Sequence, residues 1–418
     1  MSDTKKRTPH NSQWSIVTLK EPVLWSRTDS EVWMLNPTVR YVMNSDQLEH
    51  LNHLVDTCSD LRNSAFHKPL NGLANLAQKK ILVERYRGRG VGDLLFMTGP
   101  LNYIRHISGH SAKIEFYALA ERSQVLQLHP ALAHKSTLAG PLIYDTINQY
   151  DYQWFSDCVT EYDEEKDQLN VYDALFKQIG IDPQSVGAEF KRPSIHLDEQ
   201  DFANLDTFYY FVYGDRHIDL RKTGYYVVAP LSNGTLRSLP YASWLEIISE
   251  LSKKRPVVVI GQMSERVPPM DMTGGEFYSQ VNQLAPNVIN AMGNTQLRVV
   301  SAIIARATGV VCLDSGPLYI SQALRTPAIS IWGPHHPGVR IGYDKDYMEL
   351  AIWNSSACSY APCFAYHGFP TQKCPQGDSQ RICEVLKVSP VESVINKLEK
   401  IESGNPSVTS FKAAKPTK

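Results

Sequence analysis

The segment from residue 309 to residue 336 constrains the fold more than any other part of the chain, because it combines strand, turn, helix and strand in succession. Residues 310–313 are a short apolar run of the kind that fills the centre of a parallel sheet, and residues 328–332 are a second one. Between them, Pro317 suits the first turn of a helix and Pro327 ends it. The segment therefore predicts two parallel strands joined by a helix, the repeating unit of an α/β sheet.

The turn after the first of these strands carries Asp314, Ser315 and Gly316. In open α/β sheets, ligands bind beyond the carboxyl ends of the strands, and the start of a helix offers unpaired N–H groups to a phosphate. Asp and Ser are also good helix N-caps, so an ordinary capping turn is the alternative interpretation. The turn is a candidate diphosphate site, and both interpretations stay open on these residues alone.

Length and composition place the chain among ordinary globular proteins. Its 418 residues are enough for two domains with appendages, and 43% of them are hydrophobic. No apolar run approaches the roughly 20 residues that a membrane-spanning helix needs, and the polar first residues show no secretory signal, so we expect a cytoplasmic protein. The net charge of -1 gives no general attraction to nucleic acid or to an anionic membrane.

From residue 80 onward, strands, glycine turns and helices alternate, which is the pattern of a doubly wound sheet. This alternation occurs twice and predicts two Rossmann-like domains, joined by a polar bridge over residues 192–219. The predicted organisation is an N-terminal extension of unknown role (1–79), a first Rossmann-like domain (80–220), a second one (221–388), a closing helix (389–404) and a flexible tail (405–418).

The segment around residue 314 resembles the signature of glycosyltransferase family 9, the heptosyltransferase type, and the resemblance extends over about residues 80–402. The matching residues are Asp314, Ser315, Gly316, Pro317, Pro327, Gly333 and Pro334. One position departs from the family, because Tyr319 stands where the family usually has His. The resemblance implies a GT-B fold, in which two Rossmann-like domains face each other across a cleft, and a glycosyltransferase activity. It also implies that the first domain (80–220) binds the acceptor and the second (221–388) the nucleotide sugar.

A glycine turn, GRGVGD at residues 88–93, follows the first predicted strand and precedes a helix that we expect over residues 94–107, interrupted at Gly99 and Pro100. Its glycines lack the dinucleotide spacing, and no P-loop lysine follows, so no nicotinamide or ATP cofactor is expected. Gly90 and Gly92 let the backbone approach an acceptor, whereas Asp93 alone would suit a helix cap. The family resemblance implies that Asp93 is the general base.

Sugar transfer builds negative charge on the departing diphosphate, and this charge needs cationic or dipolar stabilisation. Many glycosyltransferases hold a metal ion at an Asp-x-Asp pair for this purpose. Residues 344–346 spell Asp-Lys-Asp and Asp271 stands alone, but a structural role explains these carboxylates at least as well. We therefore expect metal-independent transfer, with the charge met by the helix start at Ser315 and by a basic side chain.

The best candidate for that basic side chain is Arg237. Residues 232–244, SNGTLRSLPYASW, resemble a family loop in which Arg237 takes the usual Lys position and Leu239 the usual aromatic position. A solvated loop arginine is the alternative. Further candidate contacts for the nucleotide sugar are Ser232 and Thr235 in the same loop, Gly261 and Gln262 after the next strand, and Tyr319.

Seven cysteines are an odd number in a long chain and argue against a disulfide framework. The last four, Cys358, Cys363, Cys374 and Cys383, have four, ten and eight residues between them. Four thiols this close could bind zinc, but the C-x-x-C spacing of most zinc sites is absent. Reduced thiols and a stress-formed disulfide are the alternatives. The pair His335 and His336 has either a loop role or a substrate contact.

These observations and the resemblance predict an enzyme that moves a heptose or related sugar from a nucleotide-sugar donor, ADP-linked by resemblance, to an acceptor hydroxyl. The resemblance further implies inversion, a glycan or glycolipid acceptor, lipopolysaccharide biosynthesis, and a cytoplasmic location, peripheral at the inner membrane. Two alternatives stay open. One is the same fold acting on a nucleobase or protein acceptor, and the other is a non-catalytic nucleotide-sugar-binding protein.

Overall fold

The chain separates into two compact units. Unit 1 comprises Met1–Lys166 and Val171–Phe190, and unit 2 comprises Asp167–Asn170 and Lys191–Lys418. The computed structural model describes residues 14–28, 31–44, 47–48, 51, 53–65, 68–72, 75–85, 90–118, 120–134, 142–156, 169–213, 220, 224–232, 235–262, 271–293, 295–363, 374–377, 382–386 and 390–403. The predicted tail, residues 405–418, lies outside these ranges.

Unit 1 combines an antiparallel and a parallel sheet with helices. Its strands are β1 (Trp14–Leu19), β2 (Val23–Thr28), β3 (Glu31–Leu35), β4 (Tyr41–Asn44), β5 (Val55–Asp60), β6 (Lys80–Arg85), β7 (Lys113–Tyr117), β8 (Leu132–His134), β9 (Leu142–Ile143) and β10 (Tyr152–Ser156). Its helices are α1 (Val91–Ile107), α2 (Ala120–Ser123), α3 (Tyr144–Ile147) and α4 (Val171–Gln178).

The N-terminal extension is a layer of unit 1. Its strands form an antiparallel sheet of order β5-β1-β4-β9, whose last strand comes from residues 142–143. One hydrophobic cluster joins this sheet to the parallel sheet, with Trp14 and Val42 on one side and Leu82 of β6 on the other. Because these residues share a core, we find no division between units at residue 79.

The parallel sheet of unit 1 has the order β10-β6-β7-β8, and all its neighbouring strands run parallel. The first strand of this sheet, β6, lies in its interior, and β7 and β8 are added on one side of it. The chain then crosses to the other side of β6 to form β10. In such sheets, ligands bind outside the carboxyl ends of the strands where the order reverses. Arg85 and Ser156 end the two strands at this point.

Helix α1 follows β6 and is continuous from Val91 to Ile107. The sequence predicts a start at residue 94 and an interruption at Gly99 and Pro100, so the prediction is wrong on both points. Gly99 is required by packing rather than by a turn, because a Cβ at this position would lie 2.3 Å from the carbonyl oxygen of Phe190. Pro100 also lies inside the helix.

Unit 2 is a second α/β unit. Its strands are β11 (Tyr226–Ala229), β12 (Val257–Val259), β13 (Val288–Asn290), β14 (Gly309–Leu313), β15 (Ala328–Ile331) and β16 (Ala351–Ile352). Its helices are α5 (Glu199–Tyr213), α6 (Tyr241–Ser252), α7 (Gly274–Gln283), α8 (Leu297–Ala305), α9 (Gly316–Leu324), α10 (Lys345–Leu350) and α11 (Pro390–Glu402).

The sheet of unit 2 has six parallel strands in the order β13-β12-β11-β14-β15-β16. The strands from β11 to β15 are fully buried, as predicted for the apolar runs at residues 310–313 and 328–332. The order matches a dinucleotide-binding sheet and reverses between β11 and β14. The closing helix, predicted over residues 389–404, packs on this core through Val394 and Leu398.

The units divide at Lys191 and not at residue 220. Residues 192–219, predicted as a polar bridge, contain helix α5, which packs on α8. Arg298 of α8 donates two hydrogen bonds to the carboxylate of Asp201 in α5, and both side chains are largely buried. In the described residues, no helix is long and apolar enough to cross a membrane.

Candidate functional site

The sheet of unit 2 places two predicted site segments side by side. Because β11 and β14 are parallel neighbours, the loops that follow them leave the same edge of the sheet. The loop after β11 carries Arg237, and the turn after β14 carries Asp314 to Gly316. Nη1 of Arg237 donates to the main-chain oxygen of Asp314 at 3.1 Å and lies 3.7 Å from its Oδ2. The predicted arginine therefore contacts the predicted diphosphate turn.

Helix α9 begins directly after this turn. Ser315 is its N-cap residue, in extended conformation, but its side chain makes no capping hydrogen bond. The Ser315 hydroxyl donates back to the carbonyl of Leu313 at 3.4 Å instead. The Ser315 side chain therefore does not compete with a ligand for the N–H groups of the first turn, where the helix dipole favours an anion.

The Asp314 carboxyl group is buried among polar partners from two other segments. Tyr319, one turn into α9, donates its hydroxyl hydrogen to Oδ1. His335, in the loop after β15, has Nδ1 3.3 Å from Oδ2. The Tyr319 side chain, predicted to contact the nucleotide sugar, is buried against Asp314.

These groups hold one another in defined charge states. Burial alone would raise the pKa of Asp314, but the His335 hydrogen bond and the positive charges of Arg237 and Arg340 outweigh it and hold that pKa well below its usual range. Burial lowers the pKa of His335, so its imidazole is neutral near pH 7. Burial and the Asp314 charge raise the pKa of Tyr319. The site thus contains a carboxylate, a neutral imidazole and a protonated phenol.

Sequence reasoning missed Arg340 and left His335 undecided. Both lie in the loop after β15, which pairs with β14, so this loop leaves the sheet beside the Asp314 turn. The adjacent histidines in GPHHP were a signal for His335, but no local motif marks Arg340. His336, by contrast, accepts a hydrogen bond from the N–H of Gly338 at 2.9 Å and has a structural role.

The remaining donor candidates lie at the same edge of the sheet. Thr235 begins the short turn that contains Arg237. Ser232 is buried, and its hydroxyl has no hydrogen-bond partner in the part of the chain that the structure describes. Gly261 follows β12 with φ +153, and a Cβ there would lie 2.8 Å from Leu231. Gln262 beside it is exposed.

In unit 1, the predicted base Asp93 is the third residue of α1. Its Oδ2 accepts a hydrogen bond from the N–H of Gly90, the N-cap residue, at 2.9 Å. A Cβ on residue 90 would lie 2.8 Å from that oxygen, so a larger residue there would displace the Asp93 carboxylate, and Gly92 is buried in the first turn. The N-cap residue is therefore Gly90 and not Asp93, which accepts this bond from the third helical position and keeps 22% of its side chain exposed.

Arg85, which sequence reasoning did not select, lies next to Asp93. Its Nη2 is 3.9 Å from Oδ1 of Asp93, and its side chain is only 2% exposed. Nη1 donates to the hydroxyl of Ser156 at 2.8 Å, across the point where the strand order reverses. The last residue of a buried apolar strand gave no signal for this role, because the partners come from β10 and α1.

The carboxylates of the Asp-x-Asp candidate are engaged elsewhere. Arg325, in left-handed conformation after α9, pairs with Asp344 and with Asp346, the latter at 3.0 Å. Asp271 accepts hydrogen bonds from the N–H groups of Tyr241 and Ala242, both at 2.8 Å, and so caps α6. The structural interpretation of these residues accounts for all three carboxylates.

The four C-terminal cysteines pack on one hydrophobic core in unit 2, and none is in a disulfide. Burial is the main cause that raises the pKa of Cys383 to about 11, and the thiols of Cys363, Cys358 and Cys374 raise it by smaller amounts. Within the described ranges, no three His, Cys, Asp or Glu side chains are already arranged to hold a metal ion. The structure therefore gathers the thiols without a preformed ion site.

Comparison with known proteins identifies the family of the chain. Residues 151–367 match the sequence model of glycosyltransferase family 9 (heptosyltransferase). No curated protein matches the sequence.

Three solved structures are similar. ADP-heptose LPS heptosyltransferase II of E. coli has 14% identity and a TM-score of 0.55, and the match covers 77% of this chain and 99% of that one. TibC from enterotoxigenic E. coli, described as an iron-containing dodecameric glycosyltransferase, has 16% identity and a TM-score of 0.55, and the match covers 94% of this chain and 92% of that one. TibC in complex with ADP-D-beta-D-heptose has 16% identity and a TM-score of 0.54, and the match covers 79% of this chain and 80% of that one. These likenesses confirm the predicted GT-B type of α/β fold.

Proposed function

The chain belongs to glycosyltransferase family 9, and from that premise we propose that this glycosyltransferase moves a heptose or a related sugar from an ADP-linked donor to an acceptor hydroxyl. The observation that carries the proposal is the contact between Arg237 and the Asp314 turn at the start of α9. It joins a cation and a helix N-terminus where the unit 2 sheet reverses its strand order. A diphosphate is the anion that suits this combination.

The donor is bound by unit 2 in this proposal. Arg237 and the first turn of α9 bind the diphosphate, while Gly261 and Gln262, at the end of β12, lie towards the nucleoside. The choice of ADP and heptose rests on the relatives, since TibC is solved with ADP-D-beta-D-heptose and a second relative is an ADP-heptose LPS heptosyltransferase.

Asp93 of unit 1 removes the proton in the transfer step. The acceptor oxygen attacks the anomeric carbon while its proton passes to the Asp93 carboxylate. The bond between that carbon and the diphosphate oxygen breaks, and ADP leaves with the bonding electrons. Arg237 and the α9 dipole stabilise the charge on ADP, so the proposed transfer needs no metal ion. One direct displacement inverts the anomeric configuration.

The proposed acceptor is a glycan or glycolipid, as in lipopolysaccharide biosynthesis. A second candidate is a protein or nucleobase acceptor. The N-terminal sheet belongs to the unit that carries Asp93, so a difference in acceptor could arise there. The cytoplasmic location stays a prediction.

A donor panel tests the proposal. Purified protein is incubated with ADP-heptose, ADP-glucose, UDP-glucose and GDP-mannose, each with and without lipopolysaccharide acceptors, and release of nucleoside diphosphate and mass of the product are measured. We expect ADP release with ADP-heptose and an acceptor that gains one sugar. Binding of ADP without transfer to any glycan, peptide or nucleic-acid acceptor would favour the non-catalytic alternative. A product of retained configuration would overturn the inverting mechanism.

We also propose that Cys358, Cys363, Cys374 and Cys383 bind one metal ion with a structural role. All four thiols belong to or pack against one hydrophobic cluster, and the similar TibC is iron-containing. Thiols bind metals as thiolates, so the ion must displace the proton of Cys383, whose pKa is about 11, and draw the ligands together. We expect about one equivalent of iron or zinc by elemental analysis, lost in Cys383→Ser and retained in Cys58→Ser, a thiol elsewhere. Metal-free wild-type protein would refute this proposal.

A further inference from the structure

The side chains around Asp314 do more than fill the core. The carboxylate receives Tyr319 from within α9 and His335 from the loop after β15, while its own residue begins the turn after β14. Three segments of the sheet edge therefore meet on one carboxyl group, which is 6% exposed. A group so enclosed by protein partners is fixed in place.

Asp314 is also the residue that holds Arg237. The guanidinium donates to the Asp314 main-chain oxygen at 3.1 Å and lies 3.7 Å from Oδ2, so the backbone and the side chain of one residue both contact it. An arginine side chain has many rotamers, and binding an anion is stronger when the protein has already selected one of them. Whatever orients Asp314 therefore also orients Arg237.

We propose that Tyr319 and His335 are positioning residues, which act through Asp314 to hold Arg237 in the geometry that binds the donor diphosphate. The inference rests on the proposed function and assigns roles within its donor site. It also gives Tyr319 a role at the position where the sequence departs from its family: the phenol contacts Asp314 from α9, and an imidazole reaches the same carboxylate from the next loop.

The charge states support this arrangement. The Asp314 carboxylate accepts hydrogen bonds from the Tyr319 phenol, which stays protonated, and from the His335 imidazole, which stays neutral. The neutral imidazole donates only if its hydrogen is on Nδ1, the nitrogen nearest to Oδ2. Neither partner neutralises Asp314, so the carboxylate keeps its charge for Arg237.

Binding of ADP, measured by titration calorimetry, tests the positioning role. Tyr319→Phe removes one hydroxyl group, and we expect it to weaken ADP binding about tenfold, because a hydrogen bond to a charged group is lost. His335→Leu should act in the same direction, and His335→Asn, which can still donate to Asp314, should recover part of the loss. Tyr347→Phe is the matched control: its hydroxyl donates to the carbonyls of Ser321 and Thr326, both at 2.7 Å, and does not contact Asp314.

The decisive comparison uses Arg237→Met as background. If Tyr319 acts through Arg237, adding Tyr319→Phe to Arg237→Met weakens ADP binding no further. Additive losses would show a merely structural role and overturn the inference, as would unchanged binding in Tyr319→Phe. Wild-type protein that binds none of ADP, UDP, GDP and CDP would refute the proposed function itself. If the wild type binds ADP and the Tyr319 and His335 variants bind it equally well, only the positioning role is refuted.

Discussion

Nη2 of Arg85 lies 3.9 Å from Oδ1 of Asp93, at the point where the strand order of the unit 1 sheet reverses. The guanidinium is almost fully buried, and an arginine side chain does not lose its proton in a protein. A buried cation needs an anion nearby, and Asp93 supplies a carboxyl group beside the guanidinium. The hydrogen bonds from Arg85 to Ser156 and from Gly90 to Asp93 fix both partners.

Asp93→Asn should remove the base and leave the protein folded. The amide oxygen can still accept the Gly90 hydrogen bond, so the helix cap survives. We expect the transfer rate to fall by about 10²- to 10⁴-fold, the usual contribution of a general base, with ADP binding unchanged. Single-turnover transfer and calorimetry measure the two effects. Asp145→Asn, an exposed carboxylate of unit 1 paired with Arg40, is the control, and full activity of Asp93→Asn would refute the base assignment.

Variants of Arg85 distinguish the effect of its charge beside Asp93 from the effect of the planar guanidinium that donates to Ser156. Arg85→Lys keeps the charge but loses the planar fork, whereas Arg85→Met loses both. Asp93 is partly exposed, so we expect Arg85→Met to lower the free energy of unfolding by about 2 kcal/mol, below the range for fully buried pairs. The kcat should fall in Arg85→Lys and further in Arg85→Met, with the donor KM unchanged. Retained kcat in the Met variant would mean that Arg85 only stabilises the fold.

The difference between Arg237 and Arg85 shows what the sequence could predict. Arg237 lies in a loop with a recognisable pattern after a recognisable strand, and buried apolar runs such as residues 310–313 predict strands from local periodicity alone. Arg85 ends an apolar strand, and its partners come from β10 and α1. The same holds for His335, which contacts Asp314, and for Arg340, whose charge acts on it, because both lie in the loop after β15, the strand that pairs with β14. Local sequence patterns do not predict which side chains from separate segments meet in the folded protein.

Two helical glycines should respond in opposite directions to alanine. Gly99 of α1 has no room, since a Cβ would lie 2.3 Å from the Phe190 carbonyl oxygen and 3.1 Å from the Tyr172 ring. Gly99→Ala should lower the free energy of unfolding by about 2 kcal/mol, in the range of overpacked cores. At Gly275 of α7, a Cβ would have nothing within 4 Å, so Gly275→Ala should stabilise by about 0.5 kcal/mol. Urea unfolding followed by circular dichroism compares them, and equal effects would contradict the packing argument.

The pair between Arg298 and Asp201 should stabilise unit 2, because it attaches α5 to α8. Both side chains are largely buried, at 11% and 4% exposure, so Arg298→Met leaves a buried carboxylate without this partner. We expect a loss of about 3 kcal/mol in the unfolding transition of unit 2. Lys253→Met removes a cation that is 64% exposed and paired with Glu250, and should change stability by less than about 0.5 kcal/mol. A small effect at Arg298 would show that α5 is held mainly by apolar contacts.

His335 should make the protein less stable in mild acid. Its folded-state pKa lies below the ordinary value of 6.5, because burial outweighs the attraction of Asp314, and Arg340 and Arg237 lower it further. Below pH 6.5 the unfolded chain therefore binds a proton that the folded protein does not, so this contribution to stability is complete above that pH and is lost as the pH falls towards the folded-state pKa. One such proton changes the free energy of unfolding by at most about 1.4 kcal/mol per pH unit. Urea unfolding between about pH 7.5 and pH 5 should show a shallower loss in His335→Gln than in the wild type, and identical slopes would contradict the buried neutral state of this imidazole.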